Sequence, residues 1–182
     1  MRRPRGAVRS AGGADWVVHA PGVSHVFVDI AVDLDRAEEL VLDSMVDPLH
    51  RADTQLLHRD LAGAGAERMF DAMRASGVAL FAAPDAPWDI LPVAPHLDRP
   101  HTERACTIQL VDDVAGAVAH VQRYGGADTD IVITLDEDAI EAFLRGVRSP
   151  RVFVNASTRR AAALELGRIA VEELLTTRVE LI

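Results

Sequence analysis

The sequence predicts an α/β protein, a largely parallel sheet flanked by helices. Two observations lead there. In the second half of the chain, short apolar runs alternate with segments of helical periodicity, the order that right-handed β-α-β crossovers produce. A length of 182 residues with 49% hydrophobic residues also suits one domain with a real core. No repeat and no internal linker divides the chain, so residues 15–182 read as a single domain behind a flexible basic arm at residues 1–14.

The elements follow in order. "WVVHA" and "SHVFVDI" read as two short strands separated by Pro21 and Gly22. A helix is expected from Asp35, where Asp35 and Glu38 match a capping box, with Ala37, Leu40, Val41 and Met45 inward. "TQLLH" is a strand, and "AERMFDAM" is a helix that carries Met69, Phe70 and Met73 on one side and stops at Gly77. "VALFAA" is the next strand. From Pro84 to Pro100 five prolines erase all periodicity, which marks a long connection. After it come the strand "CTIQLV" and the helix "DVAGAVAHVQRY", then the strand "DIVITLD" and the helix "EDAIEAFLRGV". The strand "RVFVNA", a helix "AAALELGRIAVEELL" and a last short strand "RVELI" complete the chain.

Composition excludes several chemistries. The formal net charge is -9 and the acids are spread along the chain, which disfavours nucleic acid or anionic membrane as a partner. The basic start "MRRPRGAVRSAGGAD" lacks an apolar core, so it does not read as a secretory signal and a cytoplasmic protein is expected. With one cysteine there is no internal disulfide and no multi-cysteine zinc site. All nineteen basic residues are arginine, which removes Schiff-base chemistry and a lysine general base.

Three stretches, "HAPGVSHVFVDIAVDLDRAEELV", "VDDVAGAVAHVQRYGGADTDIVITLDEDAIEAFLRGV" and "VFVNASTR", resemble the C-terminal half of γ-glutamyl phosphate reductase, of the aldehyde dehydrogenase superfamily. The closing "LTTRVELI" resembles that family's oligomerisation strand. The resemblance implies an aldehyde-dehydrogenase-like catalytic domain, a homodimer and a history in proline biosynthesis. It also exposes departures. The family's nucleophilic cysteine belongs just before "TQLLH", but "VDPLHRADTQLLH" holds none, and Cys106 falls in a later strand. Val18 replaces the family's acidic residue, Asp128 replaces a histidine, and the glycine-rich loop after "NASTR" is rewritten. No glycine-rich turn able to cradle a pyrophosphate is found. Reducing an acyl phosphate needs a thiolate and a nicotinamide, so the expected chain has no cofactor and no redox activity of its own.

Two groups of side chains stay in view as sites. Asn155, Ser157, Thr158 and Arg159 offer amide, hydroxyls and a forked guanidinium to a carboxylate or phosphate, as an amino-acid-like ligand would present; alternatively Ser157 or Thr158 caps the following helix. His50, Asp53 and His58 flank the rewritten nucleophile segment and are candidate acid-base residues, against the plainer reading of an exposed polar loop. Asp128 and Asp130 could hold a cation but more often such carboxylates are solvated, His19 and His25 read as structural, and no metal is expected. Two functions follow from different classes: a pseudoenzyme that binds a protein partner or its own copy, or a small cofactor-free cyclase, dehydratase or isomerase.

Overall fold

The computed structural model of the chain describes residues 8–11, 14–17, 22–48, 50–125, 129–160 and 179–181. In chain order these form β1 (Val8–Ala11), β2 (Ala14–Val17), β3 (His25–Val28), α1 (Leu34–Asp43), β4 (Thr54–His58), α2 (Ala64–Ala75) and β5 (Ala79–Ala82). They continue with β6 (Ala105–Val111), α3 (Val114–Tyr124), β7 (Thr129–Ile133), α4 (Glu137–Gly146), β8 (Arg151–Val154) and β9 (Val179–Leu181). Within the stretch expected as a flexible arm, β1 pairs antiparallel with β2. Among the described residues seven strands build the main sheet in the order β5-β6-β4-β3-β7-β8-β9, every neighbouring pair parallel. The α/β class and the parallel sheet flanked by helices are therefore found as expected.

Side-chain alternation along the strands builds two cores. On one face Val26, Val28, Ile131, Ile133 and Phe153 pack against Ala37, Leu40 and Val41 of α1 and Met69, Phe70 and Met73 of α2. On the other Phe27, Leu56, Val132, Val152 and Val154 meet Ala117 and Val121 of α3 and Phe143 of α4. Layering on both faces follows from the right-handed crossovers. Gly146 ends α4 where a Cβ would come within 2.5 Å of Val118 Cγ1, so only glycine lets α3 and α4 meet this closely.

The helix starts share one device. Asp33, Asp113 and Asp136 each accept from amides of the first turn of α1, α3 and α4, an N-cap that stabilises a helix by about 1 kcal/mol. This corrects the expected capping box: α1 begins at Leu34, Asp33 is the cap, and Glu38 instead pairs with Arg68 of α2 at 2.6 Å. Asp35 lies inside the first turn, where its own amide is capped by Asp33 Oδ1. Gly77, with φ 78°, ends α2 as expected.

The proline-rich segment after β5 is aperiodic, yet it is fastened. Ala82 donates to Pro92 O and accepts from Ala94, and Trp88 packs edge-on against Phe70 at 5.0 Å. The helix expected after Arg160 lies outside the described residues. The closing strand, expected as an oligomerisation strand, runs beside β8 on the edge of the chain's own sheet. Among the described residues no helix is long and apolar enough to cross a membrane.

Candidate functional site

The chain reverses its winding direction between β3 and β7. From β3 it proceeds through α1 to β4 on one side, and from β7 through α4 to β8 on the other. The crevice outside the C-terminal ends of such strands is where open α/β sheets bind ligands. Three polar residues stand there, each one step past its strand: Asp29 after β3, Thr134 after β7 and Asn155 after β8. Thr134 Oγ1 donates to Asp29 Oδ2 at 2.7 Å. Asn155 Oδ1 accepts from the Thr134 amide at 3.0 Å, and its Nδ2 donates to the Thr134 carbonyl at 2.9 Å. Asn155 sits at φ 49°, a left-handed backbone that asparagine tolerates better than most residues.

The rest of the predicted cluster turns away from this crevice and onto the end of α1. Ser157 Oγ donates to Asp43 Oδ2, and Arg159 Nη1 reaches Asp43 Oδ1 at 2.6 Å. The Thr158 amide donates to Ser44 Oγ and its hydroxyl to the Ser44 carbonyl, both at 3.2 Å. Burial pulls the Asp43 pKa upward, but the Ser157 hydroxyl and the Arg159 guanidinium outweigh it and leave the carboxyl below its ordinary value. Beside this cluster lies an open cleft of about 590 Å³ lined by Arg36, Asp43, Asn155 and Arg159.

The second predicted group is not brought together. His50 is buried, its Nδ1 3.3 Å from Asp47 Oδ2. Asp53 is buried and its two oxygens accept from the amides of Ser24 (3.1 Å) and His101 (2.9 Å). Burial raises the Asp53 pKa, and those amides and the Arg51 charge offset this only in part. His58 ends β4 and accepts from the Asp60 amide at 3.2 Å, capping the 3-10 turn at Arg59–Leu61. Cys106 is fully buried in β6, and burial pushes its pKa up to about 12, so it is neither a thiolate nor reachable.

Sequence reading also missed a buried polar layer at the N-terminal ends of the strands. His25 Nδ1 donates to Asp130 Oδ1 at 2.8 Å, and the His25 amide and Ser149 Oγ also bond the Asp130 carboxylate. His25 is thus structural as expected. Asp130 is sealed by this bonding rather than set for a cation, while Asp128 and His19 lie outside the described residues. Among the described residues no three His, Cys, Asp or Glu side chains are grouped to hold a metal ion. At the opposite, C-terminal crevice, Asp29 and Thr134 were also missed; their signal was a polar residue directly after an apolar run in a parallel strand.

Comparison with solved structures assigns the class. The chain superposes on γ-glutamyl phosphate reductase from Thermotoga maritima with a TM-score of 0.72 at 22% identity, over 77% of this chain and 36% of that one. It superposes on an acetylating aldehyde dehydrogenase from Geobacillus thermoglucosidasius with a TM-score of 0.57 at 14% identity, over 76% and 41%. The fold is that of an aldehyde-dehydrogenase-type catalytic domain. In sequence it is 36% identical over 181 residues to delta-1-pyrroline-5-carboxylate synthase 1 of Oryza sativa subsp. japonica, covering 88% of this chain. The chain spans about a quarter of the length of that relative, 25%. No family model matches it. The chain thus has the fold of an aldehyde-dehydrogenase-type catalytic domain, and in sequence it is similar to a quarter-length segment of the pyrroline-5-carboxylate synthases.

Proposed function

We propose that this chain acts as a non-redox pseudoenzyme, a γ-glutamyl-phosphate-reductase-like domain kept for assembly or for binding a protein partner. The observation that carries the reading is the fate of the polar cluster. Asn155, Ser157, Thr158 and Arg159 are all engaged by Thr134, Asp43 and Ser44, so the groups that would bind an anion are fastening the fold. The segment where the resemblance calls for a nucleophile holds no thiol, and the one cysteine of the chain is buried. Ile30 and Leu135, 46% and 71% exposed, stand just past β3 and β7 and give the crevice an apolar rim suited to a protein surface.

The test is direct. The purified protein should leave Trp88 fluorescence unchanged on titration with NADPH and should turn over neither aldehydes nor acyl phosphates. Thiol reagents should label Cys106 only after unfolding. Saturable quenching at micromolar NADPH, or rapid stoichiometric labelling of the native protein, would overturn the reading.

The cleft beside Asn155 supports a second reading, a cofactor-free cyclase, dehydratase or isomerase on an amino-acid-like or carbonyl substrate. Its signature is a Ser157→Ala variant that keeps its fold and loses turnover. We further propose a cytoplasmic homodimer. In its support, β9 is the last strand of the sheet and no strand pairs its outer edge among the described residues, and exposed edges are normally covered. Sedimentation of the full chain and of a form ending at Leu175 tests this; a full-length monomer at micromolar concentration sinks it.

A further inference from the structure

We propose that the groove between α3, the end of β6 and the proline-rich segment is a binding site for a small monocarboxylate with an apolar body. The groove encloses about 630 Å³ and lies apart from the crevice at Asn155. Three of its polar groups come from the last two turns of α3. Arg123 holds its guanidinium 5.0 Å over the Tyr124 ring, and the Tyr124 ring stands 4.7 Å from that of His120. Stacking fixes the guanidinium plane at little cost in conformational entropy, and a fixed fork suits a carboxylate.

The charges of the groove select its ligand. Arg59 is already neutralised by Asp112 on the same wall. Arg123 carries no ion pair among the described residues, so the groove offers one open cation. Asp85 lines the same groove, and its charge disfavours a second negative charge on the ligand. A monocarboxylate fits that balance and a phosphate does not.

His120 supplies a neutral polar group. Burial lowers its pKa to about 3, with His25 and Arg123 adding to the effect, so the ring is uncharged at neutral pH. Its Nε2 is buried without a hydrogen-bond partner, as is Nε2 of His25, whose ring lies 5.5 Å away. The facing wall, Pro87 and Leu97, is apolar and would cover the body of the ligand. This proposal is independent of whether the chain is a pseudoenzyme.

Benzoate is the probe, followed by amide NMR shifts of the full chain, with benzyl alcohol and inorganic phosphate as the uncharged and the multiply charged comparisons. Benzoate should bind saturably, with shifts centred on the end of α3. Arg123→Gln should weaken it by about tenfold or more, the loss expected for a charge-assisted pair. Arg123→Lys keeps the charge and the helix and should weaken it less, while Arg148→Gln, a charge loss elsewhere, should leave it unchanged. Non-saturable shifts, equal binding of benzyl alcohol or phosphate, or unaltered binding in Arg123→Gln would each overturn the site.

Discussion

The two ends of the parallel sheet treat polar groups in opposite ways. At the C-terminal end, Asn155 and Arg159 are exposed, Ser157 and Thr158 are buried, and each is bonded to a residue far away in sequence. Ser157 and Asp43 are 114 residues apart, and Arg159 and Asp43 are 116 apart. At the N-terminal end, His25 and Asp130 are fully buried, yet ring nitrogens of His25 and His120 have no partner. The end that carries a familiar motif is internally satisfied, and the end without one holds the unspent hydrogen-bonding capacity. A motif therefore reports ancestry, whereas unmet polar atoms report where a ligand or a bound water has something to gain.

The largest effect that can break this contrast is at the buried end. Asp130→Ala strips a carboxylate from His25 and Ser149 in a site without solvent, and urea unfolding should show a loss of about 3 kcal/mol or more. A loss under 1 kcal/mol, on the order of an exposed polar pair, would mean that the layer is wetter than its burial indicates. At the other end Asn155→Ala should cost about 1–2 kcal/mol, since it frees two backbone groups of Thr134 at a partly buried strand end. Asn155→Gly loses the same bonds but relieves the left-handed backbone, so it should cost less than Asn155→Ala.

Acid sharpens the contrast further. The His120 pKa is lowered to about 3 in the folded chain, so the unfolded chain binds the extra proton first as pH falls below its ordinary value of 6.5. Stability from this group is present above 6.5 and is lost progressively below it. Between pH 7.5 and 5.5 the loss should be about 1 kcal/mol. His101, lowered by burial and then by His96 and Arg51, works in the same direction. Asp53 is raised, chiefly by burial, and works the other way. His120→Gln should flatten the dependence of the urea midpoint, and an equally steep curve in that variant would refute the assignment. Smallest of all, Glu38→Gln should leave the midpoint unchanged within error, because Arg68 is solvent-exposed and has Asp35 as a second partner.

Most of the architecture was legible because hydrophobic period is a local signal. Met69, Phe70 and Met73 on α2, or Ala117 and Val121 on α3, announce their buried faces within two turns. The N-cap of α1 was misplaced by two residues because Asp33 and Asp35 offer the same chemistry, and only the bonded amides tell them apart. The site was less legible. Whether Ser157 meets a ligand, an amide of the next helix or Asp43 depends on a contact more than a hundred residues away, and no spacing rule encodes it. The antiparallel pairing of Val8–Ala11 was hidden in a stretch whose arginines and glycines suggested only a solvated arm.

The central place of β3 sets a condition on synthesis. This strand is the first of the sheet to leave the ribosome, and one of its edges is completed by β7, where His25 meets Asp130 across 105 residues. Until that segment emerges, an apolar parallel strand has an open flank in the nascent chain. Loop closure over such a span is slow, and exposed strand edges recruit other chains. The time between translation of Val28 and of Ile133 is therefore the interval in which a growing chain most needs a chaperone, and slowing elongation within it should raise the insoluble fraction more than slowing it afterwards.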